Sequence, residues 1–312
     1  MASTSPPGLF VAAAFVLGAT AGCATTGEHG QPLVPTEYQT RTGPFVVFTN
    51  FPLPADDGIV RQLTALKDQF EGTLGLKVEA ADHPIEVYVL GDRKTFEHFL
   101  TFYYPGLPPR RAFFIAQGDR RVVYTFKSDR LDEDIRHEAT HALIHASVGS
   151  IPLWLDEGLA EHFEVADGSG MNREQLARLP ADLHDGWKPN LQKLEGLQTV
   201  QQMTPGDYRE SWAWVHYLLH GPGEGRGVLL GYLGDLRKGG ETQPLSRRLA
   251  ADRGQSEAAL AKYLEGLLSG PPPRLATTDS AVRLQDALIE IEPPAPPKKR
   301  SFLSRLFGKS TP

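Results

Sequence analysis

The segment His137-Glu138-Ala139-Thr140-His141 constrains this 312-residue chain more than any other. Two histidines four residues apart project from one face of a helix, where both imidazoles can reach a single ion. The flanking residues predict that helix over 130–148. Ser128 and Asp129 offer a cap, acids fill 132–134, Gly149 closes the run and Pro152 stands just beyond. Fifteen residues separate His141 from Glu157, which falls in a second predicted helix from about Leu155 to Val165. The short 149–154 connection lets the two helices lie side by side, bringing a carboxylate beside the histidines: Glu157 or, one turn on, Glu161. These acids stand among Trp154, Leu155, Leu159, Ala160 and Phe163, a setting suited to partial burial. The competing reading is a solvated face for both histidines and a surface or capping role for Glu157. Buried charges are seldom left unpaired, which favours a ligand role in this apolar setting.

Two imidazoles and a carboxylate form a donor set that Zn²⁺ takes, with a fourth position left for water. The ion lowers the pKa of that water, and Glu138, pointing toward the same place, can accept its proton. His145 follows His141 by four residues and so lies about 6 Å farther along the helix axis. It is expected to pack or stand partly exposed. Glu161 suits an acceptor for the far nitrogen of a ligand histidine, with ordinary surface exposure as the alternative. His162 reads as structural or exposed.

The net charge of −6 argues against a nucleic-acid partner, which would call for a basic excess. Residues 8–19, GLFVAAAFVLGA, form an apolar run short for a membrane span but suited to a signal-peptide core. The single cysteine, Cys23, follows Thr20-Ala21-Gly22, so this stretch resembles a lipoprotein processing site with Cys23 lipidated. The match departs in two places, since MASTSPP carries no basic residue and Thr20 replaces the usual Leu. Plain secretion is the alternative. One cysteine also excludes an intrachain disulfide framework, so the fold must rest on its core. The expectation is a cell-envelope protein held to a membrane through Cys23. Ala24 lacks the acidic signal for inner-membrane retention, so outer-membrane placement is preferred.

Residues 23–43 are polar and rich in Gly, Thr and Pro and read as a tether. Strands are expected at 44–50 and 85–90, a hairpin over 111–126 around Gly118-Asp119, and helices over 56–74 and 92–101. The stretch 167–206 reads as mostly loop, followed by helices near 208–220, 226–237 and 256–268. Pro271-Pro272-Pro273 ends a compact region of 44–270. Beyond it, PPAPP and the basic tail KKRSFLSRLFGK (298–309) read as a linker and a peripheral segment. The tail is either disordered or a short interfacial helix with Phe302, Leu303, Leu306 and Phe307 on one face. Strands first and helices after predict an α+β fold with the chemistry on the helical half.

HEATHALIH followed by IPLWLDEGLAEHFE resembles the bacterial peptidase-MA-like gluzincins and, more distantly, the aminopeptidase gluzincins and thermolysin. The resemblance covers residues 44–240 and implies a zincin-like domain in which a mixed sheet precedes the HExxH helix. It implies Glu157 as the third zinc ligand. Tyr208, at the start of YRESWAWVHYL, matches a tyrosine that supports the oxyanion in the aminopeptidases. Packing at a helix start is the alternative for Tyr208, and His216 and Tyr217 read as core. The G-x-M-E-N stretch of the aminopeptidases has no counterpart here, which favours endopeptidase action on extracytoplasmic protein or peptide. The family's fold further implies that the 112–126 hairpin contains an edge strand able to pair with substrate. Two other readings stay open: a catalytically silent lipoprotein using the scaffold for binding or assembly, and zinc-dependent hydrolysis of a non-peptide amide or ester.

Overall fold

A computed structural model describes residues 34–78, 83–251 and 257–269. The chain is α+β, with a five-stranded mixed sheet and ten α-helices among the described residues. These residues divide into two compact units where the sequence suggests one region. A sheet unit comprises 34–147 and 163–170, and a helical unit comprises 148–162 and 171–269. Cys23, PPAPP and the basic tail lie outside the described residues. No described helix is long and apolar enough to cross a membrane.

In the sheet unit, β2 (Phe45–Thr49), β3 (Ile85–Leu90), β4 (Ala112–Gln117) and β5 (Arg120–Phe126) fall where β-branched and aromatic runs place them. A further strand, β1 (Tyr38–Thr42), lies inside the stretch read from composition as tether. The order is β1-β2-β3-β5-β4, with parallel pairs β2/β3 and β3/β5 and antiparallel pairs at both margins. The expected hairpin therefore does contain an edge strand, β4.

Helix α1 (Gly58–Leu74) starts at Asp57, whose side chain accepts from the Ile59 amide, and ends at left-handed Gly75. It packs on helix α3 (Leu131–Ser147), which lies under β4 and β5. Helix α2 (Arg93–Tyr103) covers the other face. There, Phe48, Tyr88, Tyr124 and Phe113 stand in register across four strands, and Phe99 rests 4.8 Å from Tyr124 between ring centroids. On the α3 side, Val47, Val87, Val89 and Val123 are fully buried or nearly so, which anchors α3 to a rigid floor.

The helical unit contains α4 (Leu153–Phe163, to His162), α5 (Arg173–His184), α6 (Leu191–Glu195), α7 (Pro205–His220), α8 (Gly225–Lys238), α9 (Leu245–Ala251) and α10 (Glu257–Leu268). Helix α7 is its axis, buried continuously from Arg209 to Leu219 and touched by α5, α6, α8 and α10. The expectation of loop over 167–206 is corrected by α5 and α6. The Asn residues that read as loop formers are helix caps: Asn172 accepts from the Glu174 and Gln175 amides, and Asn190 from Lys193.

Candidate metal centre

Helix α3 is fixed before its histidines begin. Asp134 takes a bidentate pair from Arg111, at 2.6 and 2.8 Å, and Ile135, Ala139, Ala142, Leu143 and Ile144 are wholly buried. The opposite stripe presents His137 and Glu138, both half-buried, and His141, which is buried. The rings of His137 and His141 stand 5.1 Å apart, edge to face. Phe114 on β4 stacks on His141 at 6.2 Å and leans on His145 at 5.2 Å, giving these two histidines an apolar wall. His145 is accordingly a packed, half-buried residue.

Helix α4 carries Glu157 and Glu161, both buried. His137 and His141 share one face of α3 in the sheet unit, and Glu157 and Glu161 belong to the helical unit. Two imidazoles with one carboxylate fit Zn²⁺ by donor chemistry. Glu161 is engaged from within the helical unit, where its Oε2 accepts from Asn172 Nδ2 at 2.7 Å and Gln175 Nε2 at 3.0 Å.

Glu164 was not among the residues singled out from sequence. Its Oε2 lies 2.8 Å from His137 Nδ1, and the residue is buried. With the carboxylate accepting, the proton sits on Nδ1 and Nε2 presents its lone pair outward, the tautomer a metal ligand needs. The signal was present: Glu157, Glu161 and Glu164 are spaced by four and three, which places them on one helical stripe.

Tyr208 occupies the first turn of α7 and is half-buried. The residues around it are pinned. Asp207 forms a capping box with Thr204 and accepts from Lys193 Nζ at 2.6 Å. Burial raises the Asp207 carboxyl, but the bonds from Lys193 and Thr204 outweigh it and hold the group below its ordinary pKa. Arg209 pairs with Asp182 on α5. Glu210 accepts from Trp187 Nε1 at 3.1 Å and the Asn190 amide at 2.5 Å, and burial raises its carboxyl. His216 and Tyr217 are core residues: His216 Nδ1 meets the Tyr263 hydroxyl at 2.8 Å, and Tyr217 packs against Trp214 and Tyr263. His162 is buried against His216 and His220, and burial depresses its pKa well below the ordinary range.

No protein-family model matches the chain, and a search of curated proteins returns no match.

Proposed function

We propose that the chain is a zinc-dependent peptidase of the gluzincin type, with His137, His141 and Glu157 as ligands. The observation that carries this reading is the pairing of His137 and His141 on one face of α3, their rings 5.1 Å apart, with Glu138 on the same helix and Glu157 in the acidic segment that follows in sequence. Zinc bound there would supply a Lewis acid for the substrate carbonyl and a water with a lowered pKa. Glu138, next to His137 on the same helix, takes the proton from the attacking water and hands it to the leaving amine. Tyr208 donates its hydroxyl to the oxygen on which negative charge develops. The edge strand β4 offers its outer backbone groups to an extended peptide, which favours cleavage within a chain. Lipidation at Cys23 would hold the enzyme in the cell envelope, with extracytoplasmic protein or peptide as substrate.

The test is metal analysis of the purified chain together with a broad peptide-library cleavage assay. One zinc per chain with cleavage of internal bonds is expected. One zinc with no cleavage of any peptide would favour the silent scaffold, and absence of metal would refute the zinc peptidase.

A further inference from the structure

An α-helix leaves its last carbonyls without partners inside the helix. From Phe163, the last residue of α4, the chain belongs to the sheet unit, and side chains of that unit take the carbonyls there. Arg136 Nε donates to the Phe163 carbonyl at 2.9 Å and Nη2 to that of Val165 at 3.4 Å. Gln69 on α1 donates from Nε2 to the Ala166 carbonyl at 2.9 Å, and its Oε1 accepts from Arg136 Nη2. The two side chains thus form one clamp across the backbone from 163 to 166. Arg136 has no exposed surface. Burial lowers its pKa to about 10, opposed by the charges of Asp132, Asp167 and Glu164. A buried cation at a helix C-terminus also complements the partial negative charge of the carbonyls.

The placement of this clamp ties it to the candidate centre. Arg136 directly precedes His137, and Glu164, whose carboxylate meets His137 Nδ1, lies inside the clamped backbone. We propose that Arg136 and Gln69 are positioning residues for the metal: by holding the 163–166 backbone they keep Glu164 on His137 Nδ1 and Nε2 turned toward the ion. This inference rests on the proposed metal centre. A role in stability alone would make the effect of these two residues on zinc affinity the same with and without Glu164.

The experiment is a double-mutant cycle on the full chain, reading the zinc dissociation constant by chelator competition. Glu164→Ala should weaken zinc about 10- to 100-fold, the usual cost of losing the partner of a ligand histidine. Gln69→Leu and Arg136→Lys should each weaken zinc in the wild-type background and change nothing further beside Glu164→Ala. If Arg136→Lys does not fold, by circular dichroism, Gln69→Leu decides the matter. Equal effects of Gln69→Leu with and without Glu164 would overturn the inference. So would wild-type zinc affinity in folded Glu164→Ala or Gln69→Leu protein, and the metal centre would still stand. A wild-type chain that binds no zinc would overturn the centre and this inference together.

Discussion

Gly158 on α4 meets the backbone of Ser211 on α7 so closely that a Cβ at position 158 would fall 2.5 Å from the Ser211 carbonyl oxygen and 2.9 Å from Val215. The glycine next to Glu157 is therefore required by the crossing of two helices. Backbone cannot yield as a flexible side chain can, so Gly158→Ala must force α4 and α7 apart. The expected cost is about 1–3 kcal/mol, the usual range for overpacking. Denaturant unfolding measures it, and a variant as stable as wild type would contradict the crossing.

Removing a ligand should remove the metal. His137→Ala, His141→Ala and Glu157→Ala are each expected to bring zinc content close to zero while the protein stays folded, because two donors hold the ion poorly. Elemental analysis after dialysis reads this directly. Full zinc occupancy in the His141→Ala protein would refute the assignment.

Glu138→Gln keeps the shape of the side chain but cannot accept a proton. Zinc should remain, and turnover should fall about 10²- to 10⁴-fold. Tyr208→Phe should retain zinc and lower kcat about 10²- to 10³-fold, as expected when one oxyanion donor is removed. Steady-state kinetics on a cleaved peptide separate the two roles from binding effects. A Tyr208→Phe variant with wild-type kcat would return Tyr208 to simple packing at a helix start.

His162 gives a pH-dependent stability of known sign. Its folded-state pKa is depressed by burial beside His216 and His220. Above the unfolded value of about 6.5 both states are neutral and the residue makes no pH-dependent difference. As pH falls below that, the unfolded chain takes the proton first, so stability drops until the folded pKa is passed. The slope from this one group is at most about 1.4 kcal/mol per pH unit. Unfolding free energies from pH 7 to pH 5 should therefore fall more steeply in wild type than in His162→Gln. Parallel curves would show that His162 does not titrate between the two states.

Membrane attachment should depend on Cys23. A Cys23→Ser form is expected in the soluble fraction, whereas the lipidated chain should require detergent, since two or more acyl chains suffice for stable anchoring. A Cys23→Ser protein still wholly bound to membrane would rule out the lipid anchor.

Much of the fold is legible locally, because the information is local. The apolar spacing of α1, the β-branched run of β3 and the acids and Gly149 flanking α3 each act within one element. The histidine spacing likewise depends only on helix geometry, so His137 and His141 are readable before any tertiary structure. Other elements are not. YQTRT is polar enough to pass for a tether and becomes β1 only because β2 offers it a partner in register. Asn172 and Asn190 favour turns until helices α5 and α6 begin beyond them.

The acids in and just after α4 show the same division within the site. Spacing alone places Glu157, Glu161 and Glu164 on one stripe, and nothing in that periodicity selects the partner of His137. Tertiary contacts make the selection. Asn172 and Gln175 draw on Glu161, while Arg136 and Gln69, distant in sequence, hold the backbone that presents Glu164. The sequence by itself determined which residue types could meet an ion. Which carboxylate meets His137 was decided by the tertiary structure, because a hydrogen bond of 2.8 Å depends on how a helix end is fixed in space, and that depends on groups outside the helix.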